Sequence, residues 1–155
     1  MGTVLKRESL EAHLDELRGQ GKSIVSTNGC FDILHVGHVR ILKQSKAEGD
    51  ILVVGINSDA SVKKLKGEDR PINNEDDRAE LLSSLGCVDI VSIFDEGTPV
   101  EFLKVVKPNI HVKGADYKPE DISGHGIVTA SGGVVMTIPL VEGFSTSAII
   151  SKIKR

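Results

Sequence analysis

Residues 27 to 38 read TNGCFDILHVGH, which puts a thiol, a carboxylate and two imidazoles into one short stretch. His35 and His38 stand three apart, so at a helix start their rings share one face. Gly37 between them leaves the backbone open to close approach by a bulky anion. Exposed N–H groups and the positive end of a helix dipole add to the attraction for phosphate. Two imidazoles there can donate hydrogen bonds and stabilise charge that develops as a phosphoryl group moves. The expectation is a phosphate clamp. Two other chemistries compete for the same residues. Cys30, His35 and His38 are metal-ligand types, although a structural zinc site takes four ligands and no fourth lies nearby. The histidines could also be solvated helix-start residues with no chemistry.

Other groups stand further along. SVKKLKGEDRP sets Lys63, Lys64, Lys66 and Arg70 in a basic loop with Gly67 for flexibility, which in its simplest form is a solvated face. Lys43 follows His38 on the same predicted helix and is a second candidate to reach phosphate. Asp59, closing INSD, offers acceptors for sugar hydroxyls. Arg78 either meets a phosphate or pairs structurally with Asp76 or Glu75. GFSTSAII places Ser145, Thr146 and Ser147 at a helix N-terminus, where hydroxyls cap the helix and, with the N–H groups, form a second anion site.

The elements that must position these groups follow from periodicity. SIVSTNG, DILVVGINSD, VDIVSIF, NIHVKG and GGVVMTIPL read as strands, several of them apolar throughout, as in sheets covered on both faces. ESLEAHLDELRGQG, HVGHVRILKQSKAEG, EDDRAELLSSLG, PVEFLKVVK and STSAIISKIK read as helices. Residues 115–133 are turn-rich, with a short helix expected around Ile127 to Ala130. The alternation from Ser23 onward predicts an α/β fold with one doubly wound parallel sheet of Rossmann-like type. The expected organisation is one domain over 1–155, with a helical lead at 1–22 and the α/β core at 23–155. Ligands bind beyond the carboxyl ends of parallel strands, where TNGCFD lies.

The chain has 155 residues, 39% hydrophobic and 26% charged, with a net charge of −3, which argues against coating nucleic acid or an anionic membrane. No apolar run approaches the ~20 residues that span a bilayer. Two distant cysteines, without a CxxC, suit a cytoplasmic protein with reduced thiols.

GCFDILHVGH resembles the HxGH signature of a nucleotidyltransferase superfamily, whose members join a nucleoside triphosphate to a phosphorylated small molecule and release pyrophosphate. The continuation through GDILVVGINSDASVKKLKGEDRP, DRAELLSSLGCVDIVSIFDEGTP, KPNIHVKGADY and PLVEGFSTSAIISKI is similar to its adenylyltransferases that make ADP-heptose from heptose 1-phosphate and ATP for lipopolysaccharide. In many relatives this unit is fused to a sugar kinase; no kinase segment is present, so a stand-alone form is expected. The resemblance implies that His35, His38 and Lys66 act in catalysis and that Asn28, Gly29, Cys30 and Phe31 border the nucleotide. It further implies that Lys43, Gly114, Asp116, Glu142 and the serine turn join them. Asp32, Asp59, Lys66 and Arg70 would face the acceptor, with Asp32 near the transferred phosphoryl group or its Mg²⁺, unless it is a turn carboxylate. Many cytidylyltransferase relatives carry Arg-Thr where Val141 and Glu142 stand. A glycerol 3-phosphate cytidylyltransferase, an FAD synthase-like enzyme and a non-catalytic nucleotide-binding module remain the alternatives. The expected ligands are ATP with Mg²⁺ and a sugar 1-phosphate, with self-association through the N-terminal helix.

Overall fold

The computed structural model describes residues 1–114 and 118–155. Six strands form one sheet: β1 (Thr3–Val4), β2 (Ile24–Gly29), β3 (Ile51–Asn57), β4 (Ile90–Phe94), β5 (Ile110–Gly114) and β6 (Val134–Ile138). The order is β1-β4-β3-β2-β5-β6, and every neighbouring pair is parallel. The helices are α1 (Arg7–Gly19), α2 (Val36–Lys46), α3 (Asp59–Lys66), α4 (Glu75–Ser83), α5 (Val100–Val106), α6 (His125–Ala130) and α7 (Thr146–Ile153), with a 3₁₀ turn at Pro119–Asp121.

The central strand β3 shows why the helices lie on both sides. Successive side chains of a strand point to opposite faces. Leu52, Val54 and Ile56 pack with Leu42 of α2 and with Ala79 and Leu82 of α4. Val53 packs on the other face with Leu10 and Leu14 of α1, Phe102 and Leu103 of α5 and Val128 of α6. At Gly55 a Cβ would come within 2.8 Å of the Phe102 ring, so the missing side chain lets α5 lie against the sheet.

Residues 1–22 supply α1 and also an edge strand: β1 pairs with β4 through Thr3↔Ile90 and Val4↔Val91, and Leu10 and Leu14 are buried in the common core. One expectation is corrected: the lysine run is no loop. Ser58 caps α3 by accepting from the Ser61 N–H at 3.2 Å, and buried Ser61 and Val62 anchor it. Lys63, Lys64 and Lys66 then sit in its last turn, where cations complement the helix dipole.

The chain leaves β2 for β3 and β4 on one side, then returns to β5 on the other. That reversal is the topological switch point, where a crevice opens beyond the strand ends. The end of β2 at Gly29 and the end of β5 at Gly114 flank it.

Candidate active site

The turn after β2 builds the crevice. Phe31 has φ of 47°, the left-handed region, which disfavours an L-residue by about 1–2 kcal/mol. Burial of its ring in the α2 side of the core holds it there. A Cβ on Gly29 would lie 3.0 Å from that ring, so the glycine makes room for it. Asp32 is buried, and its carboxylate accepts from the Arg70 Nε at 2.8 Å and from the Ile72 and Asn73 N–H groups at 2.9 Å. Burial alone would raise its pKa; the hydrogen bonds from Asn73, Ile72 and Arg70 outweigh that and hold it below the usual range. Its oxygens fasten residues 70–73 to the β2–α2 turn, so the turn-carboxylate alternative describes it and a free oxygen for Mg²⁺ does not.

His35 is the N-cap of α2, with extended backbone, and not part of the helix. Its Nδ1 accepts from the Gly37 N–H at 3.1 Å, while the His35 N–H donates to the His38 Nδ1 at 3.4 Å. The rings are stacked, with centroids 3.8 Å apart and 24° between planes. This reciprocal cap fixes the tautomers. Each Nδ1 is an acceptor, so each neutral ring carries its proton on Nε2. Burial lowers the pKa of His35; burial and then the neighbouring His35 lower that of His38 to about 4. At neutral pH the pair therefore offers two neutral donors. A Cβ on Gly37 would meet the His35 ring at 2.9 Å and the Phe144 Cβ at 3.1 Å. The glycine thus admits the His35 ring itself, and Phe144 covers that ring with centroids 6.3 Å apart.

The crevice has a volume of about 530 Å³ and continues into a recess of about 210 Å³. Asn28, Gly29, Cys30, Phe31, Asp32, His35, His38, Lys66, Arg70, Ser145, Thr146 and Ser147 all line the larger space, and Gly114 lines the recess. Across from the histidines, the Ser145 Oγ caps α7 by accepting from the Ala148 N–H at 3.0 Å. Thr146 Oγ1 donates to the Ile33 carbonyl at 3.2 Å, tying the α7 start to the histidine turn.

Three proposed contacts are not brought into this space. Lys43 is exposed elsewhere, because five residues advance a helix by ~140° and turn it away from His38. Glu142 points to solvent, and its neighbour Val141 lines the crevice instead. Asp59 is engaged by Arg78, whose Nη2 lies 2.9 Å from the Asp59 Oδ1. Arg78 is fully buried and also donates to the carbonyls of Cys30, Asn57 and Asn73, a structural role with partners other than Asp76 or Glu75. Asp116 lies outside the described residues. Sequence reasoning missed Lys113, at the end of β5, which lines both the crevice and the recess. Nothing in IHVKG marks it out; only its register beside β2 does. Among the described residues no group of three or more His, Cys, Asp or Glu could hold a metal ion.

A parallel sheet whose switch-point crevice carries a neutral histidine pair at one helix start and a hydroxyl-capped helix start opposite defines the site of a nucleotidyltransferase. Residues 26–152 match the family model described as cytidylyltransferase-like, and the chain belongs to that family. It is 50% identical over 147 residues, 95% of its length, to the bifunctional protein HldE of Syntrophotalea carbinolica. It is 54% identical over 147 residues to the protein of the same name from Nitratiruptor. The chain spans only 30–31% of the length of these relatives. Among solved structures, the lipopolysaccharide core biosynthesis protein from Thermoplasma volcanium is 33% identical, with a TM-score of 0.63 over 78% of this chain and 98% of that one. The pantoate-beta-alanine ligase from Francisella tularensis, 14% identical with a TM-score of 0.64, shares the fold.

Proposed function

We propose that the chain transfers AMP from MgATP to a heptose 1-phosphate, giving ADP-heptose and pyrophosphate for lipopolysaccharide core synthesis. The acceptor's phosphate oxygen attacks the α-phosphorus, the new Pα–O bond forms, and the bond to the β-phosphate oxygen breaks. Catalysis of this kind needs positioning and charge stabilisation and no covalent nucleophile. The observation that carries the proposal is the stacked His35–His38 pair, whose Nδ1 atoms are both engaged by backbone N–H groups. The Nε2–H donors stabilise charge on the phosphates as pyrophosphate leaves, and the start of α7 with Ser145 and Ser147 binds the phosphate chain from the other side. Lys66 lines the crevice from the end of α3 and supplies a cation for phosphate.

Magnesium belongs here to the substrate. With Asp32 committed to Arg70 and the 72–73 backbone, the ion would be held by the ATP phosphates and water, as is usual for Mg²⁺ with nucleotides. The choice of a heptose acceptor rests on the likeness to the HldE proteins along 95% of the chain and on the likeness to the Thermoplasma lipopolysaccharide core biosynthesis protein. Self-association through the N-terminal helix α1, whose outer face is exposed, belongs to the same proposal. The two free cysteines suit a reducing compartment such as the cytoplasm. No described helix is long and apolar enough to cross a membrane.

The cytidylyltransferase-like family favours one second reading, CTP as the nucleotide, with glycerol 3-phosphate as the acceptor to test. Pyrophosphate release measured for ATP and CTP, each against heptose 1-phosphate and glycerol 3-phosphate, separates the two. The proposal expects ATP with the heptose to exceed the other pairs by at least an order of magnitude; preference for CTP with glycerol 3-phosphate would overturn it.

A further inference from the structure

The crevice contains a cation that the sequence did not announce. The Lys113 Nζ donates to the Asn28 carbonyl at 2.7 Å and leaves two of its three N–H donors without a protein acceptor among the described residues. Neither Lys113 nor Lys66 joins an ion pair with any described residue. The surroundings are poor company for a charge. Ile41 and Leu140 line the same recess as Lys113, so part of its wall is aliphatic. Burial is the first cause of a lowered Lys113 pKa; the Cys30 thiol opposes it, and repulsion from Lys66 adds to it. The Asn28 Oδ1 of the same wall is buried and has no hydrogen-bond partner among the described residues.

Lys113 is partly exposed in the crevice; an ammonium that is partly desolvated and has no counter-ion among the described residues is costly, and an apolar residue would fill this place without that cost. Such a group marks a place that an anion completes. The two ends of the reaction differ in what they need. The nucleotide's phosphate chain already has two helix starts and two imidazoles. The acceptor brings a phosphomonoester dianion, and Lys66 and Lys113, which have no ion-pair partner among the described residues, match its charge.

We propose that Lys113 recognises the acceptor as a phosphomonoester, holding its phosphate between itself and Lys66, with Asn28 Oδ1 accepting from a hydroxyl of the same molecule. This rests on the function proposed above and adds a specificity residue to it. Lys113 selects a phosphorylated acceptor and leaves ATP affinity to the other side of the crevice.

The test compares wild type with Lys113→Met, Lys113→Gln and Lys113→Arg, folding being checked by thermal melting. Two quantities are read: KM for acceptor and for ATP in turnover, and the affinity for inorganic phosphate with the nucleotide subsite saturated by a non-hydrolysable ATP analogue. Loss of a charge-assisted hydrogen bond predicts that acceptor KM rises about 10- to 100-fold, phosphate affinity falls by a similar factor, and ATP KM stays within about twofold. The Arg variant, which keeps the charge, retains part of the affinity. The Gln variant keeps a donor for the Asn28 carbonyl and decides the matter if the Met variant does not fold. An unchanged acceptor KM and phosphate affinity, or an equal loss for ATP and acceptor, overturns the proposal. If wild type turns over no sugar 1-phosphate, the proposed function fails, and the phosphate titration still shows whether Lys113 forms an anion seat.

Discussion

Arg78 offers the sharpest structural test, because one guanidinium holds four acceptors from four places in the chain. Its Nη1 reaches the carbonyls of Cys30 at 2.7 Å and Asn57 at 2.8 Å, its Nε the carbonyl of Asn73 at 3.0 Å, and its Nη2 the Asp59 carboxylate at 2.9 Å. The side chain is wholly buried, so water cannot replace it. In Arg78→Lys a single ammonium replaces a planar fork and abandons at least two of these partners. At about 1–3 kcal/mol for each buried acceptor left unpaired, the expected loss is about 3 kcal/mol. For a chain of this size that corresponds to a melting temperature lower by about 6–12 °C. Urea unfolding followed by circular dichroism measures it, and a Lys variant within about 1 kcal/mol of wild type would refute the reasoning. Arg78→Met also strands the Asp59 charge and should lose about 5 kcal/mol or more, enough to prevent folding. Asp59→Asn separates structure from substrate contact. It should lower stability by about 1 kcal/mol, since the carboxylate is partly exposed, and leave acceptor KM within about twofold. A tenfold rise in that KM would put Asp59 back on the sugar.

Further outcomes follow from the histidines and their glycine. His35→Ala and His38→Ala should each lower kcat about 10²–10³-fold with little change in ATP affinity, and the double variant should lose less than the product, as single-turnover rates would show. Gly37→Ala drives a methyl into the His35 ring and the Phe144 Cβ, so kcat should fall at least tenfold; near-normal turnover would mean that the ring position is unimportant. His111, buried against Ser26 Oγ at 2.7 Å, has its pKa lowered to about 3, chiefly by burial. A folded pKa below the unfolded value means that stability is lost as pH falls through the unfolded pKa near 6.5. From pH 7 to 5 the loss from this one group should be about 2 kcal/mol, and His111→Gln should flatten that slope in urea titrations.

The parts of the fold set by local pattern were legible in the sequence. Apolar runs such as ILVVGIN are long enough to mark doubly covered strands, and HVGH and STS announce helix starts by residue type. What escaped depends on partners far along the chain. Asp32 and Asp59 look like free carboxylates until Arg70 and Arg78 arrive from other elements. The two-residue β1 is recognisable only by its pairing with β4. The Lys63–Lys66 run hid α3, because its anchoring rests on Ser58, Ser61 and Val62 and not on an apolar stripe. The histidines were placed on one helix face by their spacing; the fold instead makes His35 the cap and stacks the rings through it. Lys113 reads as an ordinary strand lysine until β5 is set beside β2, where it meets a carbonyl 85 residues away.

The central claim is that the acceptor's own phosphate attacks the α-phosphorus of ATP in the crevice between His35, His38 and Lys113. The most direct measurement is ³¹P NMR of a reaction with ATP, Mg²⁺ and heptose 1-phosphate carrying ¹⁸O in its phosphate. Direct attack predicts unlabelled pyrophosphate, with all the label in the nucleotide sugar, including the oxygen that bridges its two phosphorus atoms. Formation of the sugar nucleotide with ¹⁸O in the pyrophosphate, or transfer of the terminal phosphoryl group without pyrophosphate, would contradict it.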